Sequence, residues 1–211
     1  MWNSVDPMEA ASLSAFRQAP EAFYQWFHPL ALAIASATPN GAHLALAGLE
    51  SLGAVCGVVT QNIDGLHQQA GSVRVCELHG LLRQACCMDC FGTVSAEQHL
   101  AAYVQTGAAP RCNACGGNLK PAVALFGEQL PYRAVAEAEA LCDEADLFMI
   151  AGASLELAPA SELPLRSLRQ GARLVIVNRE PTYLDASADV VIRDDVAEIF
   201  PLVLSEVLCD E

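Results

Sequence analysis

Apolar residues in this chain form two kinds of pattern, short runs and longer stretches at helical spacing. The runs Ala54–Thr60, Asp146–Ala151 and Arg173–Val177 are typical of strands buried on both faces of a parallel sheet. The stretches between them repeat apolar residues every three or four positions, which predicts amphipathic helices. Strands that alternate with helices predict an α/β fold, with a parallel sheet and right-handed crossovers.

Helical spacing and turn residues locate the other elements. Aromatic and apolar residues from Phe23 to Leu30 lie at helical spacing, so the first 38 residues are predicted to be helical. The sequence Pro39-Asn40-Gly41 predicts a break after them. The other predicted helices are His43–Leu52, Tyr132–Ala145, Pro159–Gln170 and Val196–Leu208, and the other predicted strands are Arg74–Leu78 and Asp189–Ile192.

Small or polar residues follow each of the three apolar runs. Because ligands bind at the carboxyl ends of parallel strands, these residues are candidates for contacts with a nucleotide. Asparagine, serine and carboxylate groups hydrogen-bond ribose hydroxyls, and glycine permits a phosphate to approach closely. An ordinary turn is the alternative for each group taken alone. The groups are Gln61, Asn62, Ile63 and Asp64; Gly152, Ala153 and Ser154; and Asn178, Arg179 and Glu180.

Two C-x-x-C pairs predict a structural zinc site. They are Cys87 with Cys90 and Cys112 with Cys115, separated by 21 residues. Four thiolates close a tetrahedral site and leave no open position for catalysis. Four unrelated buried thiols are the alternative, but the glycine-rich insert needs a metal to stabilise it. Cys86 introduces an ambiguity of register, and Cys87 is preferred because only it completes a C-x-x-C pair. Cys56, Cys76, Cys142 and Cys209 lie in apolar segments and are expected to be packing residues.

One histidine and one apolar run remain open to two interpretations each. His79 follows a short predicted strand; it is either a structural residue or a general base beside a ribose, since imidazole titrates near neutral pH. The run Val123–Glu128 is either a core strand or the lining of an apolar tunnel with Phe126.

Composition and charge exclude several classes of protein. The chain has 211 residues, of which 53% are hydrophobic, and its net charge of −14 disfavours nucleic-acid binding while favouring attraction to a basic peptide. Mean hydropathy is +0.30, but the apolar runs are too short to span a bilayer. The first residues lack the pattern of a signal peptide, so we expect a cytosolic protein with reduced cysteines.

The motifs and their order resemble the sirtuin family of NAD-dependent protein deacylases. The matching segments are T-Q-N-I-D-G-L-H, E-L-H-G, the two C-x-x-C pairs, C-G-G-N-L-K-P-A-V-A-L-F-G-E-Q-L-P, G-A-S-L-E-L-A-P and V-N-R-E-P-T. The resemblance implies a Rossmann-like NAD-binding domain and a small domain that joins a zinc ribbon to a helical module. The segments expected are the helical module (residues 1–38), the first part of the NAD fold (39–80), the zinc-ribbon insert (81–122) and the second part of the NAD fold (123–211).

The resemblance also assigns roles to residues. His79 would be the catalytic base. Gln61, Asn62, Ile63 and Asp64 would contact the nicotinamide and its ribose; Gly152, Ala153 and Ser154 the diphosphate and adenosine; Asn178, Arg179 and Glu180 the adenosine ribose; and Val196 the adenine. Val123 and Phe126 would line the acyl-lysine tunnel. The backbones of Gly127 and Glu128 and of the segment from Leu155 to Leu157 would hold the substrate peptide between them as an added strand.

In this family the acyl oxygen of an acylated lysine attacks the nicotinamide ribose and expels nicotinamide, and the products are free lysine, nicotinamide and O-acyl-ADP-ribose. The resemblance therefore implies an NAD-dependent protein-lysine deacetylase with structural zinc. Two alternatives remain open. One is a protein ADP-ribosyltransferase that also consumes NAD, and the other is a catalytically impaired, zinc-containing binding module.

The sequence departs from the family pattern in three places. G-T-S is replaced by G-A-S and R-P by Lys120-Pro121, which are mild changes. The family's G-A-G-x-S turn and D-F-R segment have no counterpart here, and they would supply a central strand and the phosphate cradle. We expect either a longer protein or a degenerate remnant, and the intact motifs favour the first.

The acyl group is expected to be neutral. A branch of the family that removes acidic acyl groups carries a Tyr-x-x-Arg pair in the helical module, and no arginine follows Tyr24 at that spacing. Acetyl-lysine is therefore expected to be preferred to succinyl-lysine.

Overall fold

The computed structural model describes residues 10–209. The chain folds as two units, each built from separate stretches of sequence. Unit 1 holds the described residues up to Ala37, together with Asn62–Gly65 and His79–Pro131. Unit 2 holds Thr38–Gln61, Leu66–Leu78 and the described residues from Tyr132 onward. The four-segment division expected from the sequence stays a prediction.

Helices and strands alternate along most of the chain, as the apolar pattern predicts. The helices are α1 (Leu13–Gln18), α2 (Pro20–Ser36), α3 (Gly41–Ser51), α4 (Leu66–Ala70), α5 (Glu97–Thr106), α6 (Tyr132–Glu144), α7 (Leu163–Arg169) and α8 (Val196–Cys209). The strands are β1 (Val58–Thr60), β2 (Val75–Glu77), β3 (Gly80–Cys87), β4 (Thr93–Ser95), β5 (Leu119–Val123), β6 (Leu147–Ala151), β7 (Arg173–Val177) and β8 (Val190–Ile192).

The strands of unit 2 are parallel and form two sheets. One sheet pairs β1 with β2, and the other has the order β6-β7-β8. Leu174 and Ile176 of β7 are fully buried, as expected for the central strand of three. Helix α3 packs on α8, where Phe200 is buried against Ala42 and Ala45. The predicted α/β fold with parallel strands is confirmed, and these strands are divided between two sheets.

Unit 1 combines a small antiparallel sheet with an aromatic helical core. The sheet has the order β4-β3-β5. Phe16, Phe23, Tyr24, Phe27 and Tyr103 pack together, with ring centroids 4.9–6.3 Å apart in the stacked and edge-to-face pairs among them. Such pairs contribute beyond their buried area, by roughly 0.5–1.5 kcal/mol each. The helices of this unit are therefore held mainly by aromatic packing.

No single helix within residues 10–209 is long and apolar enough to cross a membrane. The consecutive helices α2 and α3 reach that length and composition only when taken together. In α2, the residues Phe23, Tyr24, Phe27 and Ala31 are buried in the core of unit 1.

The first predicted strand is shorter and more exposed than its sequence indicates. Only Val58–Thr60 forms the strand, while Ala54 and Cys56 are exposed. Among the described strands β1 pairs only with β2, so one edge alone is hydrogen-bonded and the run is not buried throughout. The expectation that Cys56 and Cys209 are packing residues is wrong, because both are exposed, whereas Cys76 and Cys142 are buried.

Two helical regions also differ from the prediction. The expected helix Pro159–Gln170 is a 3₁₀ turn at Ala160–Glu162 followed by α7, because Pro164 occupies the first turn of the α-helix. Within the zinc-ribbon insert, α5 was not predicted. Its Tyr103 is buried in the aromatic core, so tertiary packing stabilises a helix in which half of the residues are polar.

The first testable prediction concerns Gly80, where β3 begins. Its φ is +78°, and an added Cβ would lie 2.1 Å from the Ala122 carbonyl oxygen. We expect Gly80→Ala to lower the free energy of unfolding by about 3 kcal/mol or more, because strain and a backbone clash add together. The measurement is urea denaturation followed by tryptophan fluorescence.

Gly107→Ala is the matched control in the same unit. Gly107 has φ +70° and ends α5, but an added Cβ would make only an ordinary contact, 3.7 Å from the His28 ring. We expect a loss of about 1 kcal/mol from backbone strain alone. Equal losses in the two variants would contradict the role assigned to the Ala122 carbonyl.

Candidate functional site

Two short parallel strands end side by side, and the predicted reactive residues follow them. In the register of this pair Thr60 lies opposite Glu77, and the Leu78 amide donates to the Thr60 carbonyl at 2.9 Å. The carboxyl ends of parallel strands lie at one edge, where ligands bind in α/β folds. The residues that follow are the Gln61–Asp64 run after β1 and His79 after β2.

Unit 1 holds His79 against the segment Val123–Glu128. The His79 side chain is half-buried, and its backbone carbonyl accepts a hydrogen bond from the Ala124 amide at 2.8 Å. The next residue, Gly80, pairs with Val123 across the antiparallel sheet. The predicted base and the predicted substrate-binding segment therefore share a backbone connection.

The same segment is hydrogen-bonded on a second side. The Phe126 amide donates to the Ala11 carbonyl at 2.9 Å, and the Phe126 carbonyl accepts from the Leu13 amide at 3.0 Å. Leu125 is buried in the aromatic core, whereas Gly127 is exposed. The segment is thus anchored by its apolar side chains and leaves its backbone near Gly127 open to solvent. Of the two interpretations of this run, the core strand covers only its first residue, because β5 ends at Val123.

In unit 2, the ends of β6 and β7 carry the residues predicted for the adenosine half of NAD. Ala151 lies opposite Val177, so the residues after both strands start at the same edge. The Gly152 amide donates to the Val177 carbonyl at 3.0 Å. Asn178 is buried, and its side-chain amide donates to the Glu180 carbonyl at 2.7 Å. The turn after β7 is therefore fixed by its own asparagine.

Gly152 opens a cradle at the start of the turn after β6. Its φ is +59°, and an added Cβ would lie 3.8 Å from the Val196 side chain. Ala153 is half-buried and Ser154 exposed, while Leu155 is buried with φ +58° in the left-handed region. A left-handed leucine is uncommon and persists only where the surroundings determine it. The small residues of this turn fit the close approach of a sugar or phosphate.

An ion pair lies at the start of α8. The Arg179 guanidinium donates to the Asp195 carboxylate at 2.5 Å. Asp195 also accepts from the Ala197 amide at 2.9 Å, which is the geometry of a helix N-cap. Val196, predicted to lie near adenine, is the first residue of this helix. These contacts fix the two candidates Arg179 and Val196 relative to one another.

Each unit, taken by itself, holds groups that are chemically suited to a part of NAD. Unit 2 offers a glycine cradle, an exposed serine and the Asn178–Glu180 turn, which suit phosphate and ribose hydroxyls. Unit 1 offers Asn62 and Asp64, whose amide and carboxylate suit a carboxamide and a ribose, with His79 in the same unit. The role of each individual residue stays a prediction.

The four predicted zinc ligands lie together in unit 1. The sulfur atoms of Cys87, Cys90, Cys112 and Cys115 are all within 4.8 Å of one another. The Cys87 and Cys115 sulfurs are 3.4 Å apart, and those of Cys90 and Cys112 are 3.9 Å apart. A tetrahedral zinc with bonds of about 2.3 Å places its sulfurs about 3.8 Å apart. The cluster therefore fits a Cys₄ structural zinc site.

Two similar backbone turns present these sulfurs. In the first turn the Phe91 amide donates to the Cys87 carbonyl at 3.0 Å, and in the second the Gly116 amide donates to the Cys112 carbonyl at 2.8 Å. Phe91 and Gly116 both have positive φ, of 58° and 78°. The two C-x-x-C pairs thus fold as matching knuckles, as their spacing predicts.

The structure also resolves the register of the first pair. The Cys87 sulfur lies within the four-sulfur cluster, 3.4 Å from that of Cys115. The Cys86 sulfur lies apart from the cluster, 3.7 Å from the Cys87 carbonyl oxygen and 3.8 Å from that of Phe91. The preference for Cys87 over Cys86 agrees with this geometry.

Sequence reasoning missed two residues that hold candidate site segments. Asp195 caps α8 and binds Arg179; its position directly before a predicted helix was a signal that could have found it. Lys120 is buried and binds the carbonyl of Val123 at 2.7 Å and the carboxylate of Glu128 at 2.9 Å. Its signal was weaker, a single lysine next to a proline in an acidic chain.

The second testable prediction concerns the cysteine cluster. We expect the purified protein to contain about one zinc per chain, and Cys112→Ser to lose it and to unfold at a lower temperature, because structural zinc contributes directly to folding. Elemental analysis and thermal unfolding measure the two effects. Cys86→Ser is the matched control and should keep its zinc. Zinc retained in Cys112→Ser, or lost in Cys86→Ser, would contradict the assignment.

Relatives with similar sequences cover nearly the whole chain. The model of the Sir2 family matches residues 3–159. The "NAD-dependent protein deacetylase 1" of Pyrobaculum aerophilum is 44% identical over 97% of this chain and 79% of the relative. The "NAD-dependent protein deacylase 2" of Archaeoglobus fulgidus is 43% identical over 98% of this chain and 81% of the relative.

Solved structures agree with the sequence relatives. A structure described as "Structural Basis for the Mechanism and Regulation of Sir2 Enzymes" superposes with a TM-score of 0.91 at 41% identity, over 100% of this chain and 84% of the other. A complex described as "Sir2-p53 peptide-NAD+" has a TM-score of 0.87 at 37% identity, over 94% and 82% of the two chains. The sirtuin resemblance and the NAD-dependent class of enzyme predicted from the sequence are confirmed. This chain belongs to the Sir2 family.

Proposed function

We propose that this protein is an NAD-dependent protein-lysine deacetylase that releases free lysine, nicotinamide and O-acetyl-ADP-ribose. The observation that carries the proposal is the parallel register of β1 and β2. With Thr60 opposite Glu77, the Gln61–Asp64 run and His79 leave two neighbouring strands at one edge. This arrangement supports a role for His79 as a base that acts on the nicotinamide ribose. The adjacent Gln61–Asp64 run would hold the nicotinamide itself.

NAD supplies the electrophilic ribose carbon and the ribose hydroxyl that receives the acyl group. The residues of this chain have three tasks. His79 accepts the proton of that hydroxyl, a role for which neutral imidazole is suited. Asn62 and Asp64 orient the carboxamide and its ribose, and the Gly152 turn receives the sugar–phosphate part. His79, Asn62 and Asp64 lie in unit 1, and Gly152 lies in unit 2.

The segment Val123–Glu128 is the proposed binding site for the peptide. Its backbone is exposed at Gly127, and extended peptides bind to such segments by forming an added strand. A solved relative is described as bound to a propionylated peptide, which supports an acylated peptide as the substrate class here. The net charge of −14 favours peptides that are basic around the acylated lysine.

The third testable prediction is the loss of activity in His79→Ala. With an acetylated peptide and NAD, we expect nicotinamide release to fall by roughly 10²–10⁴-fold, since this is the range for removing a general base. Release is measured by chromatography together with the appearance of deacetylated peptide. His99→Ala in α5 is the matched control, because His99 lies outside the proposed machinery, and it should retain near-normal turnover.

The same assay separates the proposal from its alternatives. Labelled NAD that marks protein without any acylated peptide would favour ADP-ribosyl transfer. A zinc-loaded protein with no measurable NAD affinity at millimolar NAD would indicate a binding module instead. Full turnover in His79→Ala would overturn the assignment of the base.

The acyl group is proposed to be neutral, because the helical module offers no cation at the relevant position. Phe27 occupies the position three residues after Tyr24, and it is buried between the rings of Phe23 and Tyr103, with centroids 5.5 Å and 6.3 Å away. The Tyr24 hydroxyl donates to the Leu119 carbonyl at 2.6 Å, and burial raises its pKa, so it stays a neutral phenol. Neither residue supports binding of a carboxylate.

The fourth testable prediction compares two acyl groups on one peptide. We expect kcat/KM for deacetylation to exceed that for desuccinylation by at least about tenfold. The reason is that moving the succinyl carboxylate out of water without a partner costs more than about 1 kcal/mol. Steady-state assays with matched peptides measure both values. Faster desuccinylation would contradict the proposal.

We also propose a cytosolic location. The free state of all nine cysteines, four of them clustered as metal ligands, supports a reducing compartment. Fractionation of the source cells with an antibody to the protein tests this, and recovery outside the cytosol would count against it.

A further inference from the structure

Lys120 is the single lysine of the chain, and it is buried. Only 7% of the residue is exposed. An ammonium group removed from water is strongly unfavourable unless it is paired and hydrogen-bonded. The position therefore calls for partners that the fold itself must supply.

Three acceptors surround the Lys120 ammonium. It donates to the carbonyl of Pro121 at 3.1 Å and to that of Val123 at 2.7 Å, and it forms an ion pair with Glu128 at 2.9 Å. Because an ammonium has three donors, these contacts satisfy it completely. The exposed fractions of the two charged side chains are 9% and 22%, so the pair is largely shielded from solvent and salt.

Glu128 extends the connection to the backbone of the segment. The carboxylate oxygen that meets Lys120 also accepts from the Leu125 amide at 2.8 Å. The Glu128 amide in turn donates to the Leu125 carbonyl at 2.9 Å. Lys120 and Glu128 thus stand at the two ends of residues 121–127 and bind the backbone between them. We call this set of contacts the Lys120–Glu128 clip.

The clip adjoins the predicted base. Ala124 lies between the two clipped residues Val123 and Leu125, and its amide donates to the His79 carbonyl at 2.8 Å. A movement of the backbone at residues 123–125 would therefore displace the His79 backbone as well. The clip fixes the segment on one side, and the Phe126 contacts fix it on the other.

We propose that Lys120 is a positioning residue that holds Val123–Glu128 in the conformation to which the acylated peptide binds. The inference rests on the proposed function, because it assumes that this segment receives the peptide. A segment ordered in advance loses less conformational freedom on binding, so affinity rises without any new contact. The effect is expected in the KM for the peptide, whereas the KM for NAD should change little.

The decisive variant is Lys120→Met, which keeps the length of the side chain and removes its charge. We expect the KM for the acetylated peptide to rise by at least about fivefold, with the KM for NAD within about twofold, because the ordering cost moves to the binding step. Hydrogen exchange of a proteolytic peptide covering residues 121–130 should become faster. Lys120→Arg keeps the charge and the donors, and it should behave nearly as the unmodified protein does.

Two further variants make the test independent of overall stability. Arg17→Met removes an exposed cation from α1 of the same unit and should change neither constant. Glu128→Gln removes the partner charge, so it should raise the KM for the peptide and speed exchange in the same region as Lys120→Met. Zinc content serves to confirm that each variant is folded.

The outcomes separate this inference from the proposed function. An active protein in which Lys120→Met leaves the KM for the peptide and the exchange of residues 121–130 unchanged would overturn the inference alone. A KM that rises equally for peptide and NAD would also overturn it, because a merely structural role predicts that result. A zinc-loaded protein that neither binds nor deacetylates the peptide would overturn the proposed function, and the inference with it.

Discussion

The parallel pairing of β1 with β2 is the constraint on which the proposed chemistry depends. The pair is short, three residues from each strand, yet its register determines which residues leave the sheet together. A shift of one residue would turn every side chain of a strand to the opposite face. Gln61 follows β1 directly, and Leu78 follows β2 with its amide bonded to the Thr60 carbonyl, so this register sets where the two following segments of chain begin.

The two units are stabilised by different means. Unit 2 relies on buried apolar side chains that are mostly aliphatic, such as Leu174 and Ile176, with Phe200 also almost fully shielded from solvent. Unit 1 relies on aromatic packing around Tyr103 and on the cysteine cluster. Both Tyr24 and Tyr103 are buried with their hydroxyls bound to backbone carbonyls, which avoids the penalty of unpaired polar atoms.

The Lys120–Glu128 clip adds order to a segment that has no continuous strand pairing. Residues 124–128 belong to no strand, and within them Phe126 forms an isolated bridge to Ser12, so the segment has no continuous strand pairing. A buried ion pair is weak evidence for stability, since its desolvation offsets much of its attraction. It is better suited to specifying one conformation, and here its partners are backbone groups of a single segment. The charged pair therefore holds one conformation of the proposed peptide-binding segment.

The sequence by itself determined the family, the α/β class and the zinc ligands, because these depend on local spacing. C-x-x-C pairs, apolar runs and the residues that follow them are readable along the chain. The tertiary structure decided what depends on distant partners. The Ala54–Thr60 run forms a strand only at its end. Tyr103 stabilises an unpredicted helix. Lys120 pairs with Glu128 because the chain turns between them, which the apolar periodicity does not predict. Burial and pairing are properties of the whole packed unit, so local pattern cannot fix them.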